Sequence, residues 1–324
     1  MPEGDTIFRT ARGLGRALNG KIITRFESTF AYLARANDDD PFVGQTITEI
    51  QAHGKWLLIY FSHGSILATH MLMSGSWHIY RPGEPWQEKP GNARILIETA
   101  DFVAVGFRIP VARMHTAQSL VRDRKIPQSD RDVLSESFDA TAAVSRLMAR
   151  SQDELGDALL RQDILAGVGN VFKSEICFLM GLSPFSRVET LSPKQAGEIV
   201  AMARKLLAAN VLEDSSDRIV TYNGKNRRTT RNAEPGENLW VYGRKGESCR
   251  RCGTPIQRRL QGPNARSTYW CPTCQPLFEV VSTPKKGSKP VSNSAATRSK
   301  STKAQPPQPQ PQRDLDRPTR RSRR

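Results

Sequence analysis

With 324 residues, 38% of them hydrophobic, the chain has enough apolar material for two packed domains. Its apolar runs, such as "WLLIYF", are far shorter than a membrane span and the N-terminus lacks the basic-then-apolar plan of a signal peptide. A cytoplasmic protein is therefore expected. A formal net charge of +16 favours a polyanion as partner, with nucleic acid the leading candidate.

The chain opens "MPEGDT". A small residue behind the initiator methionine permits its removal, which would leave the secondary amine of Pro2 free as a nucleophile. Helical spacing of Ile7, Ala11, Leu14 and Leu18 predicts a helix over 4–18 that Gly20 stops. Short β-type runs follow, "KIITRFES", "KWLLIYFS" and "ARILIETA", so residues 1–115 read as a β-rich domain led by one helix. The polar stretch "VRDRKIPQSDRD" falls in a linker over 116–137. Long helical patterns, "ATAAVSRLMAR" and "PKQAGEIVAMARKLLAANVL", place a helical domain at 138–236. Within it, Gly167 and Gly169 interrupt the pattern in "QDILAGVGNVFKSE", and Asn170 stands at the N-cap of the next helix. A helix start there would offer free N–H groups to a phosphate; an ordinary turn between packed helices is the alternative.

Cys249 and Cys252 form one C-x2-C pair and Cys271 and Cys274 a second, with 18 residues between, over a module at 237–278. This spacing fits one tetrahedral four-thiolate zinc, a structural site because no position is left open for water. Two disulfides are the alternative, disfavoured in a reducing compartment. The intervening segment reads as two strands around "QGPN" and carries Arg258, Arg259 and Arg266, a stiff basic hairpin suited to a phosphate backbone. Cys177, in an apolar helical pattern, reads as buried. From Ser282 to Arg324 twelve Lys or Arg face only Asp314 and Asp316, so much of the positive charge sits in a tail over 279–324. With no aromatic residue from Ser282 onward, that tail is expected to be disordered, as a solubilising appendage or as an arm for nucleic acid.

"PEG" at the N-terminus, "HGKWLL" near residue 55, "AGVGNVFKSE" in a helical domain and "RSTYWCPTCQ" in a zinc hairpin occur in this order over about residues 1–278. In this the chain resembles the formamidopyrimidine-DNA glycosylase and endonuclease VIII family of base-excision repair enzymes. The resemblance implies an α+β multidomain fold: a β-sandwich with a leading helix, a helix-two-turn-helix domain and a zinc-finger hairpin, with double-stranded DNA bound by a monomer at the nucleoid. It implies that Pro2 attacks the sugar C1′, expelling the damaged base and leaving an iminium that permits strand cleavage by β/δ-elimination. An α-amine suits this role, its reference pKa being about 8 against about 10.4 for Lys.

By the same resemblance Glu3 is the acid/base carboxylate, where by itself it would read as a helix N-terminal acid. Lys55 contacts phosphate near the lesion, and Asn170 and Arg266 clamp the flipped-out nucleotide. Glu175 lies at the active-site rim or serves as a cap or ion-pair partner. "THMLMSGSW" matches the loop that fills the hole left by base flipping, with Met73 as the plug. His70 contacts a phosphate or is packed. Glu3-Gly4-Asp5 resembles the endonuclease VIII branch, which favours oxidised pyrimidines, where the formamidopyrimidine branch begins Pro-Glu-Leu. "VAVGF" at 103–107 occupies the place of an Arg-Arg-Phe-Gly stretch that probes the opposite strand, so weak opposite-base discrimination is expected. Segment 219–239 takes the place of a lesion-capping loop, and the linker departs from Leu-Gly-Pro-Asp, with Asp132 at its aspartate. Preference for purine lesions, a non-catalytic zinc-containing DNA-binding protein on the same scaffold, and a zinc-ribbon RNA-binding factor are the alternatives.

Overall fold

A computed structural model of the chain describes residues 2–212, 221 and 238–277. The basic tail and most of segment 219–239 lie outside these residues. Helix α1 (Gly4–Leu18) has the bounds its periodicity predicts, with Ile7, Leu14 and Leu18 buried and Gly20 at φ +77 ending it. Strand β1 (Ile23–Ser28) leads into α2 (Ala31–Asp39), a second helix that the sequence reading omitted. Only Leu33 of α2 is buried, so the helix presents too little apolar periodicity to announce itself.

The strands β2 (Ile47–His53), β3 (Trp56–Phe61), β4 (Ile66–His70), β5 (Ser76–Tyr80), β6 (Ala93–Thr99), β7 (Val103–Phe107) and β8 (Val111–His115) complete two four-stranded sheets. One runs in the order β1-β6-β7-β5 and the other β2-β3-β4-β8, with antiparallel neighbours throughout. Their inner faces and α1 share one core that joins Leu14, Phe26, Ile50, Leu57, Leu67 and Ile97. This is the expected β-sandwich.

The apolar run of β3 is continuous because both its faces are covered. Leu57 and Ile59 face the main core, while Trp56 and Leu58 pack against Ile126 from the segment after β8. That segment, within the expected linker, holds α3 (Ala117–Arg122), which starts on a capping box at Thr116 and Ser119, and it buries Ile126. Strand β7 is the segment "VAVGF", which stands in the place of an arginine-bearing probe and carries no arginine. All five residues are buried, Ala104 toward the main core and Val103, Val105 and Phe107 toward Tyr80 and Leu96. The exposed feature is the next residue, Arg108, at φ +48 and paired with Glu88.

The helical domain comprises α4 (Ala140–Met148), α5 (Leu155–Leu159), α6 (Asn170–Leu179) and α7 (Pro193–Ala209) around a second core that includes Leu147, Leu159, Phe172, Ile176, Ile199 and Ala203. Helix α7 starts with Pro193 at its first turn and a capping box between Ser192 and Gln195. The hairpin β9 (Gln257–Gln261) and β10 (Arg266–Trp270) follows. Its turn carries Gly262 at φ +67 and Ala265 at φ +47.

Candidate active site and zinc centre

The two cores meet at the N-terminus of the chain. The Gly4 N–H donates to the Gly167 carbonyl at 2.9 Å, and a Cβ on Gly4 would lie 2.6 Å from the Gly167 Cα, so only glycine permits this approach. Gly167 sits at φ +98 in the turn before α6. A second seam runs through the β2–β3 turn, where Gly54 at φ +60 donates its N–H to Asp132 Oδ2 at 2.8 Å. Asp132 is thereby a buried tie between the sandwich and the segment leading into the helical domain. Arg12 of α1 adds a third by donating to the Val211 carbonyl at 2.8 Å.

Between these seams lies Glu3, whose side chain is fully buried. Its Oε1 accepts from the Val171 N–H at 2.8 Å and its Oε2 from the Phe172 N–H at 3.3 Å. Glu3 thus caps α6 from the far end of the chain. The sequence suggests Asn170 as the N-cap, with the helix start either offered to a phosphate or part of an ordinary turn; in the structure Gly169 is the N-cap residue, Asn170 begins the helix, and the Glu3 carboxylate takes the Val171 and Phe172 N–H groups. Gly169 has no side chain to offer, and a Cβ there would stand 2.2 Å from the Glu3 Cδ. Burial raises the Glu3 pKa, opposed by the Lys55 charge and by the two N–H donors.

Lys55 follows the Gly54 turn, and burial lowers its pKa while Glu3 pulls it up and Arg266 pushes it down. Glu3 and Arg266 are thus both near enough to act on the Lys55 charge. Asn170 Nδ2 donates to the Ser267 carbonyl at 2.6 Å, which ties α6 to β10 beside Arg266. Arg258 donates to Ser267 Oγ and Arg259 pairs with Glu154 over the Phe185 ring. Arg266 is exposed, and its side chain has no hydrogen-bond or ion-pair partner among the described residues.

Glu175 is fully buried. It accepts the N–H groups of Trp240, Val241 and Tyr242 at 2.8, 3.0 and 2.9 Å and the Thr221 hydroxyl. Of the two readings of Glu175, the cap describes this arrangement. Its indirect effect is to set Tyr242, a residue the sequence reading did not single out. Burial raises the Tyr242 phenol pKa; the Asn170 side chain lowers it and the Glu3 charge raises it, so the ring stands beside both.

Met73 lies 68% exposed on the turn after β4, next to Leu72, which is exposed at φ +46. His70 Nδ1 accepts the Leu72 N–H at 3.1 Å and the ring packs edge-on against Trp56. Burial, helped by the Lys55 charge, pulls the His70 pKa down to about 4. Packing against Trp56 and the bond from Leu72 tie His70 to the Met73 turn.

The sulfurs of Cys249, Cys252, Cys271 and Cys274 lie within 4.8 Å of one another. Zn–S bonds of about 2.3 Å in a tetrahedron place sulfurs about 3.8 Å apart, so the four thiolates fit one zinc. The Arg251 and Cys274 N–H groups each donate to a cysteine sulfur at 3.4 Å, as suits thiolates. Cys177 is buried in the second core, and burial pushes its thiol up to about 12, so it is no nucleophile.

Three family models match in sequence: the formamidopyrimidine-DNA glycosylase N-terminal domain at 1–108, its H2TH domain at 130–220, and a zinc finger found in FPG and IleRS at 246–277. A probable endonuclease 8 2 of Streptomyces coelicolor is 39% identical over 85% of this chain and 94% of its own length. A DNA-(apurinic or apyrimidinic site) lyase Nei2 of Mycolicibacterium smegmatis is 36% identical over 85% and 99%. In fold, the chain is similar to a Lactococcus lactis formamidopyrimidine-DNA glycosylase bound to AP-site DNA, with TM-score 0.69, 21% identity and coverage of 85% and 99%. Fold, site and relatives together define a DNA glycosylase and abasic-site lyase of base-excision repair with one structural zinc. The chain belongs to the formamidopyrimidine-DNA glycosylase and endonuclease VIII family. This sets aside the non-catalytic binder and the RNA-binding factor.

Proposed function

We propose that the enzyme excises oxidised pyrimidines from double-stranded DNA through a Schiff base on the Pro2 amine, acting as a monomer in the cytoplasm at the nucleoid. The observation that supports this reading is the capture of Glu3 and Gly4, the residues that follow Pro2, by the α6 turn, with Glu3 coupled electrostatically to Lys55. The Pro2 nitrogen forms a bond to C1′ as the bond from C1′ to the base breaks, and the base leaves with a proton. Opening of the sugar ring gives an iminium, which acidifies C2′–H. Loss of that proton expels the 3′ phosphate, and a further elimination expels the 5′ phosphate. Glu3, with a pKa raised by burial, keeps a proton closer to neutrality than an ordinary carboxyl and serves as the proton carrier for the opening sugar.

Lys55 and Arg266 supply positive charge to the phosphates flanking the flipped nucleotide. Asn170, tied to the Ser267 carbonyl beside Arg266, adds an amide to the same backbone contact. Met73 enters the vacated stack, and Glu175 holds the Tyr242 segment against this group. Pyrimidine preference is supported by Gly4, whose close contact with Gly167 leaves no room for the leucine of the formamidopyrimidine branch, and by the absence of arginine from buried β7.

Borohydride trapping on duplexes carrying thymine glycol, dihydrouracil, 8-oxoguanine or an abasic site tests the proposal, with intact mass establishing that Pro2 is the N-terminus. A covalent adduct on pyrimidine lesions that disappears when the amine is acetylated is expected. An adduct that survives acetylation would assign another nucleophile, and stronger trapping on 8-oxoguanine would reverse the branch.

A further inference from the structure

The zinc staples only one end of the β9–β10 hairpin. Its ligands Cys252 and Cys271 flank the open end of the strands, whereas Arg266 lies at the opposite end, beside the Gly262–Ala265 turn. A two-stranded hairpin is marginal by itself, so the Arg266 end needs a further anchor. The described residues provide one in Lys173, which the mechanism above does not use.

Lys173 is one turn beyond Asn170 on α6 and is fully buried. Its Nζ donates to Thr268 Oγ1 at 2.5 Å; the Thr268 hydroxyl donates to Gln261 Oε1 at 2.7 Å; Gln261 Nε2 donates to Glu154 Oε2 at 2.7 Å and to the Pro184 carbonyl at 2.8 Å. Every donor and acceptor in this relay has a single consistent direction, set at its head by an ammonium that can only donate. One glycine makes room for it, and a second lets the hairpin turn approach Asp157. A Cβ on Gly156 would stand 2.4 Å from Gln261 Oε1, and one on Gly262 would stand 2.2 Å from Asp157 Oδ1. The charged and titratable groups that face Lys173 are Cys177, Asp157 and Glu3, which favour its charge, and Arg266, which opposes it.

We propose that Lys173 is a positioning residue, locking the Arg266 end of the zinc hairpin onto α6 so that Arg266 and Asn170 meet one stretch of DNA backbone at a fixed spacing. The inference rests on the reading that these two residues grip DNA. A buried ammonium carries a desolvation cost that an apolar residue of equal length avoids, so the contribution of Lys173 lies in orientation and not in stability.

The test is the affinity of the zinc-loaded full chain for a duplex carrying a tetrahydrofuran abasic-site analogue, read together with melting temperature and zinc content. K173M is expected to weaken binding about tenfold, the worth of a hydrogen bond to a charged group, while melting temperature holds or rises and one zinc is retained. T268V, which removes the acceptor, is expected to weaken binding similarly, and K173M/T268V no further than the weaker single variant. Unchanged affinity in K173M, additive losses in the double variant, or a loss that tracks a fall in melting temperature or zinc would each overturn the proposal. R266A separates the underlying reading: weak binding by R266A with normal binding by K173M refutes Lys173 alone, whereas normal binding by R266A refutes the grip itself and the proposal with it.

Discussion

Replacing Gly169 by alanine isolates the contact that holds Glu3 against α6. Gly169 has φ −123 and ψ −162, an extended backbone open to any residue, so Gly169→Ala brings no conformational penalty of its own. The whole effect comes from the new methyl group, which would lie 2.2 Å from the Glu3 Cδ and 2.5 and 2.6 Å from its oxygens. The Gly169 backbone is held by the Lys173 N–H at 2.9 Å, and Gly167, two residues earlier, by Gly4 at 2.9 Å, so the carboxylate is the part that moves. Moving it by more than an ångström forfeits the bonds to Val171 and Phe172 and leaves two buried N–H groups unpaired. Hydrogen bonds to charged groups are worth about 1.5–3 kcal/mol each, so a loss of about 3 kcal/mol of stability is expected. A catalytic group displaced by about 1 Å costs about 100-fold in rate, and single-turnover cleavage of an abasic-site duplex at saturating enzyme should fall by about that factor. A Gly169→Ala protein that melts and cleaves like the parent would refute the argument that α6 positions Glu3.

Stripping zinc with a chelator should lower affinity for abasic-site duplex, because the hairpin that carries Arg266 loses its staple; one zinc per chain by elemental analysis is the companion measurement. Met73→Ala should leave the melting temperature almost unchanged, since the side chain is 68% exposed, but slow base excision by about tenfold while sparing cleavage of a preformed abasic site. Equal losses on both substrates would argue against a role in filling the stack. Burial pulls the Lys173 pKa from 10.5 down to about 8. Between those values the unfolded chain binds more protons, so stability rises with pH; a penalty of about 3 kcal/mol is in force below pH 8 and relieved as pH approaches 10.5. The stability difference between K173M and the parent in urea titrations should accordingly shrink from pH 7.5 to pH 9.5. Glu175→Gln turns an amide NH2 toward the N–H donors of Trp240, Val241 and Tyr242, and a destabilisation of about 2–4 kcal/mol is expected by the same assay.

The sequence by itself determined what depends on near neighbours and on periodicity. The two C-x2-C pairs place four sulfurs within 4.8 Å because each pair closes a short loop. Helix α1 has the bounds of its apolar stripe. Hairpin strands flank the "QGPN" turn because glycine there takes φ +67. By resemblance, Pro2 and Glu3 were marked as a pair from their place at the chain start. The tertiary structure alone decided which distant group each buried polar atom meets. Glu3 caps a helix 168 residues away, taking the N–H groups that a local reading left open for phosphate. Glu175 closes on backbone N–H groups 65 to 67 residues ahead, and Lys173 on a hydroxyl 95 residues ahead. No local pattern encodes these partners: an acid or a lysine on an otherwise buried helix has the same signature whether it awaits a ligand or is already paired. The burial of "VAVGF" on both faces was decided in the same way, since alternation tells which residues share a face but not whether a second layer covers the other. The sequence sets the supply of donors, acceptors and apolar faces, and long-range packing chooses their partners because desolvation forbids leaving them alone.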